Sequence, residues 1–232
     1  MRFRLQAALV LAVLGLAGCI THGERLGAGA PAAGMGGAVL IGSIVQSDAL
    51  SRDGAVLLRK VDASGRRFLP PASDTMVRFK LTPAFRFADM LRNADLTGRS
   101  RATPQDLTAF TLSPGLWAVE QARTYATNGY TSQSSNSIVG TRGGSLRTLA
   151  FEVRAGEVAA PPMLEVQPQD SSYGAGPADV SPRDDTGAAV VELAAQRGLT
   201  VAPSIWRPVT VECGLIENKP GRWKSTVACL PG

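Results

Sequence analysis

Apolar and polar positions alternate through much of this chain, and this alternation predicts β-strands. In residues 75–81, Val77, Phe79 and Leu81 alternate with polar or longer side chains. This is the pattern of a strand with one buried face. Similar patterns recur up to about residue 166, so the chain is predicted to be mainly β.

Two aliphatic runs, residues 38–46 and 55–61, predict further strands because they are rich in β-branched and aliphatic side chains. Residues 51–54, Ser-Arg-Asp-Gly, have the composition of a turn. The two runs are therefore predicted to form a hairpin. Residues 84–96 carry a weak apolar stripe at helical spacing, which predicts a short helix.

A Pro-Gly turn at residues 114–115 joins two apolar alternations, and its proline and glycine suit a type II turn. Another alternating run, residues 149–154, ends in Ala-Gly-Glu at residues 155–157. The L-x-P-G turn, the aromatic strand after it and the A-G-E ending resemble those of prealbumin-type and carboxypeptidase-regulatory-type β-sandwiches. They also resemble small sandwich modules of bacterial lipoproteins. The resemblance implies an antiparallel β-sandwich over residues 37–166.

The C-terminal part is predicted to be a small unit joined by a linker. Residues 167–183 are rich in proline and glycine, as a linker is. Residues 184–232 then predict a helix followed by a hairpin, with Asp184 and Asp185 capping the helix start and Gly198 ending the helix. The predicted inner face of the helix consists of Val190, Leu193, Ala194 and Arg197.

The first residues have the pattern of a secretory signal. Arg2 and Arg4 precede an apolar run over residues 5–16, and small residues then lead to Cys19. A membrane-spanning helix needs about 20 apolar residues, so a removed signal over residues 1–18 is predicted instead.

The ending Leu-Ala-Gly-Cys at residues 16–19 resembles the lipobox of bacterial lipoproteins. The resemblance implies cleavage before Cys19, lipid on its sulfur and acylation of the new amino terminus by fatty acids such as palmitate. Because Ile20 rather than Asp follows, it also implies the outer membrane. The body is predicted to face the periplasm, and a body on the outer surface is the alternative. Residues 19–36, rich in Gly, Ala and Pro, are predicted to be a flexible lipidated tether.

Cys213 and Cys229 are the other two cysteines of the chain. Each lies in a short β-like segment, with turn chemistry between them, so a disulfide-stapled hairpin is predicted for an exported protein. A metal site or a reactive thiol is the alternative, which is weaker because no partner histidine is near.

Net charge and composition exclude some classes of partner. The full chain carries +5, and loss of Arg2 and Arg4 leaves +3. The arginines are scattered rather than clustered or interleaved with aromatic residues, so nucleic acid is not predicted as a partner.

The sequence offers no candidate catalytic, cofactor-binding or metal-ligating residues. The single histidine, His22, lies in the predicted tether, which argues against histidine-based nucleophilic catalysis and metal sites. No serine-hydrolase signature is present. The chain is therefore predicted not to be an enzyme, although two-carboxylate chemistry of an envelope hydrolase stays open.

The leading function prediction is a lipid-anchored, non-catalytic interaction or scaffold module with an envelope protein partner. The alternative is a glycan or peptidoglycan binder that uses the polar loop predicted over residues 125–145. Trp117 is predicted to be in the core. The candidate binding residues are Tyr125, Tyr130, Arg142 and Trp206, of which Trp206 is predicted to be the most exposed tryptophan.

Overall fold

The computed structural model describes eight stretches of the chain: residues 25–27, 29–44, 51–83, 102–127, 132–137, 141–142, 145–168 and 178–212. Several predictions fall outside these residues. They concern the signal, Cys19, His22, Tyr130, the helix over residues 84–96, and the pairing of Cys213 with Cys229.

The described residues form a mainly β fold with a single α-helix. The strands are β1 (Gly36–Leu40), β2 (Gly42–Ile44), β3 (Ser51–Lys60), β4 (Met76–Pro83), β5 (Thr108–Leu112), β6 (Gly115–Thr127), β7 (Ser132–Ser137), β8 (Thr141–Arg142), β9 (Ser145–Val153), β10 (Val158–Ala160), β11 (Met163–Pro168), β12 (Ala178–Arg183), β13 (Ala202–Pro203) and β14 (Arg207–Glu212). Helix α1 spans Gly187–Gln196, and 3-10 turns span Pro104–Asp106 and Asp184–Thr186.

The strands form a small and a large sheet, and both are mixed. The small sheet has the order β13-β10-β1-β5. The large sheet has the order β12-β11-β2-β4-β3-β6-β9-β14, with β7 on β6 and β8 on β9. Strand β1 is parallel to β10, and β2 is parallel to both β11 and β4. The wholly antiparallel arrangement predicted from the sequence is therefore wrong.

The parallel pairs arise because the chain changes sheet instead of turning back. Only Ile41 separates β1 in the small sheet from β2 in the large one. A Cβ atom on Gly42 would lie 2.5 Å from the Leu81 Cδ2 atom and 2.8 Å from the Phe79 Cε2 atom. The crossing point therefore requires glycine, since no side chain fits between these two core residues.

The predicted hairpin between residues 38–46 and 55–61 is wrong. Residues 51–54 are not a turn but the first residues of β3. Strand β3 pairs with β4 on one side and with β6 on the other. These two pairings supply backbone partners that outweigh the turn preference of a short polar segment.

The main hydrophobic cluster draws side chains from both sheets. The small sheet contributes residues such as Leu40 and Phe110, and the large sheet contributes residues such as Phe79, Trp117 and Phe151. A second cluster lies on the opposite face of the small sheet, where α1 packs Val190, Leu193 and Ala194 against it. The small sheet is thus covered on both faces, which explains its short, uniformly apolar strands.

Several local predictions are confirmed. Val77, Phe79 and Leu81 are buried while Arg78 and Lys80 are exposed. The predicted inner face of α1 is buried at its three apolar positions. The helix ends before Gly198, which has φ +72°. The core position of Trp117 is confirmed, since its side chain is fully buried.

The predicted capping of α1 by aspartate is wrong. Asp184 and Asp185 form the 3-10 turn before the helix. The N-cap residue of the helix is Thr186, and its side chain makes no capping hydrogen bond. Asp185 instead accepts a hydrogen bond from the Arg183 guanidinium at 3.1 Å. Arg197, at the other end of the helix, donates to the Leu107 carbonyl oxygen at 2.6 Å.

The polar loop and the linker predicted from composition contain strands. Within residues 125–145, β7 pairs with β6 and β8 pairs with β9. The predicted linker over residues 167–183 begins in β11 and ends in β12, and these two strands pair with each other. Polar composition predicted a loop and a linker, but polar residues also occur in strands whose backbones are hydrogen-bonded to neighbouring strands.

The described residues of the predicted C-terminal unit, 184–212, pack on or pair with the two sheets. Strand β13 joins the small sheet beside β10, and β14 joins the large sheet beside β9. The described part of the predicted C-terminal hairpin, β14, is therefore an edge strand of the main body.

A paired surface of grooves at one end of the fold

Two neighbouring grooves open at the end of the fold where β1 and β10 begin and β9 ends. The larger, of about 540 Å³, lies beside the chain segment after β3 and the turn before β6. The smaller, of about 260 Å³, lies beside the turn after β9 and the segment around β13. Glu152 and Arg207 line both grooves and so form the ridge between them.

The ridge is an exposed network of ion pairs. The Glu152 Oε2 atom lies 3.4 Å from the Arg207 Nη2 atom and 3.7 Å from the Arg154 Nη2 atom. All three side chains are substantially exposed. Ion pairs of this kind contribute only about 0–1 kcal/mol, so a ligand could replace them at little cost.

Strand alternation and pairing place the ridge residues. Phe151 and Val153 point into the main cluster, so Glu152 between them points outward. Arg207 begins β14 opposite Ala150 of β9, which is two residues from Glu152. The turn beyond β9 is fixed by Gly156, which has φ +77° and donates its N–H to the Met35 carbonyl oxygen at 2.7 Å.

The larger groove is shaped by the predicted Pro-Gly turn. Gly115 has φ +139°, and a Cβ atom there would lie 2.8 Å from the Lys60 Cε atom. The Lys60 Nζ atom donates to Ser113 Oγ at 2.9 Å. The turn connects β5 of the small sheet to β6 of the large sheet. Because Gly115 has no side chain, the aliphatic part of Lys60 can pack against this connection.

Asp62 organises the loop that lines the larger groove. Its Oδ1 atom accepts hydrogen bonds from Ser64 Oγ at 2.8 Å and from the backbone N–H groups of Arg66 and Arg67 at 3.0 and 3.2 Å. Burial alone would raise the pKa of the Asp62 carboxyl, but these hydrogen bonds and the charge of Arg67 outweigh burial and lower it. The carboxylate is therefore ionised, and it holds the loop, at neutral pH.

Ile205 and Trp206 lie next to each other beside the smaller groove, with opposite environments. Among the described residues, Ile205 is the large hydrophobic side chain that stands exposed, at 67%. Trp206 is only 7% exposed. Its indole N–H donates to the Pro162 carbonyl oxygen at 2.7 Å, and its ring meets Phe151 edge-on at 4.9 Å. The prediction that Trp206 is the exposed tryptophan is therefore wrong.

Of the four candidate binding residues from the sequence, Trp206 has a described side chain, and it is not among the residues that line the grooves. Tyr125 lies in β6, opposite Ser134 of β7, and Arg142 lies in β8, opposite Ser145 of β9. Their side chains, like Tyr130, are outside the described residues. Sequence reasoning did not single out Glu152, Arg154, Ile205 or Arg207, because each looks like ordinary surface charge or an ordinary apolar residue.

The lining of the two grooves determines what they can bind. Both contain carboxylates, cationic side chains and aliphatic or proline side chains, and the described residues of neither lining include Trp or Tyr. Within the described parts of the chain, no group of three or more His, Cys, Asp or Glu residues is placed to hold a metal ion. No helix among those residues has the length and apolar character needed to cross a membrane.

No family model, no curated protein and no solved structure matches this chain.

Proposed function

We propose that this chain is a lipid-anchored envelope protein of the outer membrane and that its body is a non-catalytic interaction module facing the periplasm. Its docking surface consists of Glu152, Arg154, Ile205 and Arg207, with a groove on either side. The observation that carries the proposal is an exposed isoleucine beside arginines whose ion pairs are exchangeable.

This combination suits a protein partner better than a sugar. Protein interfaces are enriched in arginine and in apolar side chains at their centre, with a polar rim around them. Sugar sites commonly offer an aromatic face for stacking, and no Trp or Tyr is found among the described residues of the two groove linings. An envelope protein is therefore the proposed partner, and peptidoglycan is the alternative that the binding experiment distinguishes.

Replacing Ile205 with aspartate is expected to weaken capture of the partner by roughly 30-fold, the effect of losing a central anchor residue worth about 2 kcal/mol. The measurement is the yield of bound protein when the tagged, lipidated chain is incubated with envelope extract. Thr210→Asp is the matched control, because Thr210 is exposed on the same segment of chain but outside both groove linings. Equal yields from the two variants would contradict the assignment. Cosedimentation with purified peptidoglycan, lost in Ile205→Asp, would favour the alternative.

The two sheets are proposed to form the layers of a β-sandwich, because the main hydrophobic cluster takes side chains from both. An experimental structure tests this point. A disulfide between Cys213 and Cys229 is also proposed. The proposal is supported by β14, which covers Arg207–Glu212 and leads directly to Cys213.

The cysteine chemistry can be tested in a single mass-spectrometric experiment on protein purified from envelopes. Acyl groups are expected on Cys19, together with a non-reduced peptide that links Cys213 to Cys229. Cys19→Ser is expected to abolish acylation and processing, because acylation needs the thiol, while leaving the disulfide intact. Equal labelling of both proteins by a clickable fatty acid would refute the anchor, and free thiols at both other cysteines would refute the disulfide.

A further inference from the structure

The segment predicted to be a flexible tether is attached to the body near its beginning. Arg25 forms an antiparallel bridge with Phe110 on the outer edge of β5. The Leu26 N–H donates to the Ala109 carbonyl oxygen at 3.1 Å. The Leu26 side chain packs against the second hydrophobic cluster. Among the described residues, the chain is therefore held against the body from residue 25, well before the predicted tether ends at residue 36.

Packing around Leu26 supports a specific attachment. Leu26 lies over Gly37 of β1, where a Cβ atom would be 3.2 Å from the Leu26 Cδ2 atom. The glycine therefore leaves the space that the leucine fills. The backbone hydrogen bond and the partial burial of an aliphatic side chain act together at this point.

The attachment has a direction. Because the bridge is antiparallel, the chain from Leu26 to Arg25 runs from Ala109 towards the Leu112 end of β5. Gly36 pairs with Leu112, Gly37 pairs with Val158, and Gly115 pairs with Val153. The Leu112 end is thus the end of the fold that carries both grooves and the docking surface.

The distance from the lipid to this point is short. Only residues 20–24 lie between Cys19 and Arg25. Fully extended, this connection spans about 20 Å, whereas a free tether up to residue 36 would span about 60 Å. A lipid on Cys19 would therefore lie within about 20 Å of Arg25, and the direction of the chain at Leu26 and Arg25 favours the groove end.

Charge on the docking surface argues against adhesion to the lipid itself. Glu152 and Glu157 balance Arg154 and Arg207 in the smaller groove, and Asp62 and Glu152 balance Lys60 and Arg207 in the larger one. An anionic membrane attracts clusters of basic residues, and neither groove has a basic excess. A protein surface with charges of both signs and an apolar centre fits this surface better.

We infer that residues 25–26 act as a strap that turns the docking surface towards the membrane, and that the partner is a protein embedded in that same membrane. This inference rests on the proposed lipid anchor. It narrows the partner, because a protein in the periplasmic fluid would meet a surface that the membrane covers.

The orientation can be measured with the lipidated full chain in phosphatidylethanolamine–phosphatidylglycerol vesicles whose headgroups carry an energy-transfer acceptor. A fluorescent amino acid is placed either at Ala155, exposed at the groove end, or at Gln105, exposed just before the opposite end of β5. The two sites lie near opposite ends of β5, which is about 13 Å long. Stronger transfer is expected from Ala155 than from Gln105.

Leu26→Asp is expected to release the strap and to make transfer from the two sites similar. Ala30→Asp is the matched control, because Ala30 is exposed in the same segment, and it should preserve the difference. Equal transfer from both sites in the unaltered chain, with the protein still floating with the vesicles, would overturn the inference while sparing the anchor. Failure of the protein to float with the vesicles would overturn the anchor and the inference together.

The class of partner is tested by a polarity-sensitive fluorescent amino acid at Ile205 in the same protein-free vesicles. Its emission is expected to stay that of a water-exposed group, because these vesicles contain no protein partner that could cover the docking surface. A blue shift in vesicles alone would show that Ile205 enters the lipid, and would overturn the protein partner in favour of the membrane surface. An unshifted emission that turns blue when detergent-extracted envelope membrane proteins are reconstituted, but not when soluble periplasmic proteins are added, is the supporting result. A shift with the soluble proteins alone would contradict it.

Discussion

Replacement of Trp206 by alanine is expected to lower the free energy of unfolding by about 3–5 kcal/mol, which is typical for removal of a large buried aromatic side chain. The ring belongs to the main hydrophobic cluster and meets Phe151 edge-on at 4.9 Å. Its indole N–H satisfies the Pro162 carbonyl oxygen at 2.7 Å. The substitution therefore creates a cavity and removes a buried hydrogen bond at the same time.

Denaturant unfolding of the full chain measures this loss of stability, and the neighbouring residue provides the control. Ile205→Ala removes an apolar side chain that is 67% exposed, so its effect should stay within about 0.5 kcal/mol. Trp206→Phe keeps an aromatic ring but loses the hydrogen bond. Its loss in the free energy of unfolding should lie between those of Ile205→Ala and Trp206→Ala. Equal effects of Trp206→Ala and Ile205→Ala would mean that Trp206 is exposed after all, as the sequence pattern predicted.

The elements that the sequence predicts correctly are those decided by neighbours along the chain. Strand β4 follows from the alternation of Val77, Phe79 and Leu81, whose burial matches it. Helix α1 follows from the spacing of its apolar residues and from Gly198, whose positive φ an L side chain rarely adopts. Such signals depend on a few adjacent residues, so one sequence is enough to read them.

The pairing of strands could not be predicted in the same way. Residues 51–54 have turn composition, yet they extend β3 because β4 and β6 lie on either side of it. The crossing at Gly42 depends on how close Leu81 and Phe79 come, which local sequence does not encode. Without several related sequences, contacts between distant segments leave no pattern in the chain itself.

The docking surface was missed for the same reason. Glu152 and Arg207 are 55 positions apart in the chain and meet because β14 pairs with β9. Ile205 and Trp206 are adjacent and both apolar, so the sequence does not show which one is buried. Trp206 is buried because its ring packs against Phe151 and its N–H donates to the Pro162 carbonyl oxygen. Composition indicated a binding role for the polar segment over residues 125–145, but function and polarity need not coincide.

The second large loss of stability is expected on disruption of a buried ion pair between β3 and β6. The Arg59 Nη2 atom lies 3.2 Å from the Glu120 Oε1 atom, and the two side chains are 3% and 12% exposed. The guanidinium carbon also lies 4.6 Å from the centre of the Phe68 ring. Between Leu57 and Leu58 the register of β3 and β6 shifts, and Glu120 is the extra residue of this bulge. The bulge therefore places the carboxylate beside the arginine.

The energetics of this pair are asymmetric. Burial lowers the pKa of the Arg59 guanidinium, and the nearby Glu120 carboxylate raises it again. An arginine side chain still stays charged throughout the accessible pH range, so it cannot avoid the cost of burial by losing its proton. Glu120→Gln removes the carboxylate charge beside this buried guanidinium, and we expect a loss of about 3 kcal/mol in the free energy of unfolding.

A double variant separates loss of the pair from loss of packing. Arg59→Met combined with Glu120→Leu replaces both charges by apolar groups, and such replacements of buried pairs are often neutral or stabilising. We therefore expect the double variant to recover most of the stability lost in Glu120→Gln. Asp185→Asn is the surface control, because the Arg183–Asp185 pair, at 3.1 Å, leaves its carboxylate in water and should contribute less than about 1 kcal/mol. If Glu120→Gln costs no more than Asp185→Asn in denaturant unfolding, then Arg59 is solvated in solution and the bulge does not serve to neutralise it.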